Sequence, residues 1–93
     1  MRLDLFLKVS RLIPRRSLAQ EFCDSNRIKV NGMPAKSSKE IKANDEIEIR
    51  RKNRVSRVSV LEVPAKKQMS KEGAETLYKL ISEETTQDSD LLA

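Results

Sequence analysis

The chain has 93 residues, 38% of them hydrophobic and 35% charged, which is enough for one modest core under a strongly ionic surface. No apolar run reaches transmembrane length, the N-terminus lacks the basic, apolar and small-residue order of a signal peptide, and the single Cys23 allows no internal disulfide, so a cytoplasmic location without membrane contact is expected. The formal charge of +5 is uneven: residues 1–67 carry 17 Lys/Arg against 8 Asp/Glu, whereas residues 68–93 carry 2 against 6, which suits a body with a polyanionic partner and an acidic tail.

In chain order, "RLDLFLKVSRL" at 2–12 predicts a short helix, with Leu3, Phe6 and Leu7 on one stripe and Arg2, Asp4, Lys8 and Arg11 mostly opposite. A second helix is expected from about Pro14 to Ser25, its inner face made by Leu18, Ala19, Phe22 and Cys23. Arg15 and Arg16 fall in its first turn, where the dipole disfavours cations. An anion bound there would explain them. On the dipole argument alone, Arg16→Ala leaves stability unchanged or raises it. Asp4 reads as structural, either capping the first turn or holding an arginine.

The period then changes to two. Ile28 and Val30 alternate with polar neighbours, and Asn31-Gly32 predicts a type I′ hairpin. "DEIEIR" places Ile47 and Ile49 inward, "RRKNR" at 50–54 is a basic turn, and "VSRVSVLEV" at 55–63 reads as a last strand, bulged at Val60-Leu61. Residues 64–69 read as a linker. Residues 70–84 are expected to form a third helix, capped by Ser70 and with Ala74, Leu77, Tyr78 and Ile81 on its apolar stripe, followed by a frayed acidic tail at 85–93.

Nothing in the sequence supports an enzyme. There is no histidine, which removes His-based triads and most zinc sites, and with only Gly32 and Gly73 there is no glycine-rich phosphate loop. No cofactor is expected. Aromatics make up 3%, and Phe6 and Phe22 lie on apolar stripes, so stacking of bases on an aromatic platform is not expected. Recognition of RNA by shape and phosphate fits better. Cys23 reads as a small buried apolar residue, and the 50–54 run as a solvated tip that could track phosphates.

The motifs Arg2-Leu3-Asp4, Arg15-Arg16-Ser17-Leu18-Ala19, Asn26-Arg27-Ile28-Lys29-Val30-Asn31-Gly32, Lys36 and Asn44-Asp45 occur in this order. Together they resemble the S4-type RNA-binding domain, also called the αL RNA-binding motif, over about residues 1–50. Asn26 and Asn44 stand where that family usually has glycine, and asparagine is the side chain best suited to a left-handed backbone. Arg15 stands where the family often has serine, so a natural N-cap is replaced by a cation.

The resemblance implies an α+β fold: two N-terminal helices on a small, mainly antiparallel sheet over 1–63, with the linker, C-terminal helix and tail outside the motif. The short chain resembles the stand-alone members that act in ribosome-associated quality control and the heat-shock S4 protein. That implies binding to rRNA and tRNA on the large (50S) subunit through Arg2, Lys8, Arg11, Arg15 and Arg16, with Lys36 as an addition. The protein is expected to be a monomer, with other quality-control factors as further partners. Ribosome assembly, RNA regulation and a protein-interaction adaptor are the alternative roles.

Overall fold

The structure, a computed structural model, describes residues 1–64 and 71–85. Helix α1 spans Leu3–Val9 and α2 spans Arg16–Asp24. In α1, Leu3, Phe6 and Leu7 recur at helical spacing and all three are wholly buried. The helix is shorter than the pattern over 2–12, because Ser10 caps it and Arg11 turns into the left-handed region at φ 63°, a common helix stop. The second helix starts at Arg16 and not near Pro14. Arg15 is extended at φ −126° and is the N-cap, with no side-chain capping bond. This extended residue lengthens the link and lets Arg16 reach back to Asp4.

The sheet contains β1 (Ile28–Val30), β2 (Met33–Pro34), β3 (Glu46–Arg50), β4 (Arg54–Val60) and β5 (Tyr78–Thr85). All neighbours are antiparallel, in the order β2-β1-β3-β4-β5. Asn31 and Gly32 form the two-residue connection between Val30 and Met33, with φ of 53° and 85°, as a type I′ turn requires. Asn26 and Asn44 are left-handed as well, at φ 60° and 76°. Ile47 and Ile49 point inward as expected and are fully buried.

One side of the sheet closes over the helices. Ile28, Val30, Ile47, Ile49, Val58 and Val60 pack against Leu3, Phe6 and Leu7 of α1 and Ala19 and Cys23 of α2. Each large side chain buried this way contributes roughly 1.5–3 kcal/mol before the entropy of ordering is subtracted.

The C-terminal segment departs from expectation. Instead of one helix over 70–84, the chain makes a short α3, Lys71–Glu75, and then β5. The apolar stripe is split: Ala74 and Leu77 are buried, Tyr78 is half-buried and Ile81 is exposed. The cause is long-range. The seven-residue β4 offers a full edge of backbone donors and acceptors, and β5 pairs with it from Arg54↔Thr85 to Val60↔Tyr78. A helix over the same residues would leave that edge open. The irregularity in β4 falls between Arg57 and Val58, in its pairing with β5, and not at Val60-Leu61. Most of the expected linker (65–69), Ser70 and the tail from 86 onward lie outside the described residues.

Candidate nucleic-acid interface

Asp4 is the hub of the basic face. It is the second residue of α1 and is completely buried. An isolated carboxylate in that position would cost several kcal/mol, so it needs partners. It has four. The Leu5 N–H donates to Oδ1 at 2.7 Å, and Gln20 Nε2 and Arg16 Nε donate to Oδ2 at 2.9 and 3.2 Å. Arg2 completes the set, with Nε 3.4 Å from Oδ1 and Nη2 3.5 Å from Oδ2. Burial pushes the Asp4 pKa up, but the bonds from Gln20, Arg16 and Leu5, with the charge of Arg16, outweigh it and hold the carboxyl below its usual value.

This geometry gathers two arginines from different helices onto one anion. Arg2 is the N-cap of α1 and Arg16 the first residue of α2, so both sit at positive helix ends. Their side chains remain 47% and 43% exposed. Two guanidinium groups on one carboxylate leave a net positive surface with N–H groups turned to solvent. Exposed Arg15 adjoins it, at a helix start that no side chain caps. Gln20, which the sequence reading did not single out, lies one turn after Arg16 on the same face of α2. That spacing was the only available signal for it.

The loop after β2 closes the third side. Lys39 and Ser37 accept hydrogen bonds through their carbonyls from the Leu3 and Asp4 N–H groups at 2.8 and 3.1 Å. The first-turn donors of α1 are thereby engaged by protein. Lys36 and Lys39 are exposed in this loop, where they line a shallow cavity with Asn31, Met33 and Pro34 of the β1–β2 hairpin. Lys8 is half-buried in the last turn of α1, and exposed Arg11 follows the helix end. Of the six expected positions, Arg2 and Arg16 meet at Asp4 and Arg15 directly precedes Arg16, Lys36 lies in the loop that bonds the start of α1, and Lys8 and Arg11 lie toward the other end of that helix.

The 50–54 run is divided in its roles. Arg51 folds inward: its Nη2 donates to the Leu12 carbonyl at 2.6 Å and its Nη1 to Ser56 Oγ at 3.4 Å. Burial, and secondarily the charge of Arg54, push its pKa down. Arg54 lies 3.7 Å from Glu83, and Arg57 in mid-strand donates to Glu48 at 3.0 Å. Cys23 is buried, and burial pushes its thiol up to about 11, which keeps it protonated and unreactive near neutral pH. Among the described residues no group of His, Cys, Asp and Glu could hold a metal ion, and no helix is long and apolar enough to cross a membrane.

The family model of the S4 domain matches residues 1–47, the segment that carries the Asp4 hub, helices α1 and α2 and the β1–β2 hairpin. The chain belongs to the S4-domain family. Its similarity to curated members extends beyond the motif. It is 49% identical over 89 residues to a Streptococcus pneumoniae protein named RQC P-site tRNA stabilizing factor, covering 96% of this chain and 99% of that one. A Halalkalibacterium halodurans protein of the same name is 47% identical over 90 residues, covering 97% and 100%. These S4 relatives carry the name of a stabilizing factor and not of an enzyme. In fold, the chain is similar to heat shock protein 15 of Vibrio cholerae, at a TM-score of 0.81 and 24% identity over 88% of this chain and 82% of that one.

Proposed function

We propose that the chain steadies P-site tRNA on a stalled large ribosomal subunit by gripping RNA phosphates, with no bond made or broken. The observation that carries this reading is the pair Arg2 and Arg16, both within 3.5 Å of buried Asp4 and both nearly half exposed. A structural ion pair needs one arginine. The second adds repulsion that an external anion relieves, and a guanidinium binds phosphate in bidentate fashion. Arg15 and Lys36 widen the phosphate face, and Lys8 and Arg11 extend it along α1.

The name shared by relatives that match nearly the whole chain supports P-site tRNA as the RNA held and quality control of stalled synthesis as the setting. The protein works as a monomer in the cytoplasm, on rRNA and tRNA together, alongside other quality-control factors.

The test is co-sedimentation of the purified protein with 50S subunits that carry peptidyl-tRNA, across a salt series. Five or so phosphate contacts should give log affinity a slope against log salt of roughly −4 to −6. Association that ignores salt, or no association with the loaded subunit, would overturn the reading.

A further inference from the structure

β5 holds one residue more than β4 opposes. Val58 lies opposite Leu80 and Arg57 opposite Ser82, so Ile81 has no counterpart. Successive side chains of a strand point to opposite faces, and one extra residue moves every later side chain to the other face. Without this bulge Glu83 would fall opposite Val55, on the face of Arg57. With it, Glu83 lies opposite buried Ser56, on the inner row that also holds Val58 and Val60. Re-aiming a side chain is a known use of a bulge.

The re-aimed carboxylate completes a chain of bonds. Ser56 Oγ donates to Glu83 Oε2 at 3.1 Å and accepts from Arg51 Nη1 at 3.4 Å. Arg51 Nη2 in turn donates to the Leu12 carbonyl at 2.6 Å. Side-chain bonds therefore run from β5 through β4 and the β3–β4 turn to the α1–α2 link. Ile13, the next residue of the link, is buried, and its N–H donates to the Leu7 carbonyl at 3.1 Å. Beyond Ile13 the fold holds the link only lightly. Pro14, Arg15, Arg16 and Ser17 are exposed, Arg15 caps α2 without a side-chain bond, and the first buried residue of α2 is Ala19. The start of α2 is thus placed by the link that leads into it and by the Arg16 bond to Asp4.

Arg51, Ser56 and Glu83 all lie beyond residues 1–47, the segment that matches the S4 domain. We propose that this later part of the chain positions the anion face: Arg51, oriented by Ser56 and Glu83, holds the Leu12 carbonyl and so sets the start of α2 where the Arg16 guanidinium meets Asp4. Arg51 is a positioning residue and touches no ligand. That the oriented face meets RNA rests on the reading above.

The experiment follows the Arg16 Nε–H NMR signal of the isotope-labelled full chain, free of ligand, in wild type, Arg51→Met, Arg51→Lys, Ser56→Ala and Glu83→Gln. The internal control is the Nε–H of Arg57, bonded to Glu48 on the other face of the sheet. Affinity for bulk tRNA is measured beside it at one salt concentration. Arg51→Met should move the Arg16 signal toward that of an unbonded guanidinium and speed its exchange with water, while the Arg57 signal holds. Arg51→Lys, which can still donate to Leu12, should restore most of the Arg16 signal. Ser56→Ala and Glu83→Gln should give smaller shifts in the same direction. Affinity for tRNA should fall about fivefold in Arg51→Met, but less than about twofold when that change is added to Arg16→Ala, because both act through one contact. An unchanged Arg16 signal in folded Arg51→Met overturns the proposal. Equal loss of the Arg16 and Arg57 signals overturns it too, since Arg51 is then a structural clasp and nothing more. If Arg51→Met does not fold, Glu83→Gln and Ser56→Ala decide by the same two signals. A shifted Arg16 signal with unchanged tRNA affinity leaves the positioning standing and overturns the RNA reading.

Discussion

The chain contains two Arg-Arg pairs, Arg15-Arg16 and Arg50-Arg51, and in each the second arginine turns back onto the fold. Arg16 meets a buried carboxylate through its Nε and stays 43% exposed. Among the described residues Arg51 donates to neutral acceptors, the Leu12 carbonyl and the Ser56 hydroxyl, and is half-buried. The partner decides what the charge can do. On Asp4 a guanidinium is oriented while its outer face remains open to an anion. On a carbonyl in a partly dry site, the guanidinium is used up as a clasp between the β3–β4 hairpin and the α1–α2 link.

The largest effect is expected at the shared anion. Asp4→Ala removes the partner of Arg2, Arg16 and Gln20 and should cost about 2–4 kcal/mol in urea unfolding at pH 7. The pH dependence follows from the direction of its shift. Asp4 is held below the ordinary carboxylate value, so its contribution is fully present above the unfolded aspartate pKa of about 3.9 and is lost as pH falls through its lower folded value. Asp4→Asn should therefore show a shallower loss of stability than wild type on acidification below about pH 4. Equal slopes would place the titrating group elsewhere.

Next comes the clasp. Arg51→Ala loses both inward bonds and leaves a carbonyl without its donor, which should cost about 1–3 kcal/mol by thermal or urea unfolding. A variant as stable as wild type would mean that the hairpin and the link do not depend on each other, and the contrast with Arg16 would lose its second half.

Much of this was legible in the sequence, for local reasons. Asn31-Gly32 demands a two-residue turn, and Asn26 and Asn44 mark left-handed positions; all are properties of single residues. Alternation placed Ile47 and Ile49 inside. Asp4 could be read as structural, either capping the first turn or holding an arginine, and the fold has it bonded to Arg2 and Arg16. What escaped depends on distance along the chain. "AETLYKLISEE" has helical spacing, and only the waiting edge of β4 makes most of it a strand. Gln20 carries no chemistry until Asp4, sixteen residues earlier, faces it. The dipole argument for Arg16 weighs the helix end alone, and the bond to Asp4 adds a contribution of opposite sign.

The smallest stability effect is therefore at Arg16. The structure predicts that Arg16→Ala is mildly destabilising, by at most about 1 kcal/mol for a half-exposed pair, where the dipole alone predicts no loss or a gain. A rise in melting temperature would show that the Asp4 bond contributes less than the helix end repels.

The central claim is that Asp4 holds Arg16 ready for RNA, and the most direct test is affinity for 50S subunits loaded with peptidyl-tRNA, wild type against Arg16→Ala at matched salt. The account predicts a loss of about 1–3 kcal/mol in binding, larger than the loss in folding, with a salt slope shallower by about one. Affinity and salt slope equal to wild type, alongside a lowered melting temperature, would contradict it and make Arg16 a structural partner of Asp4 and nothing more.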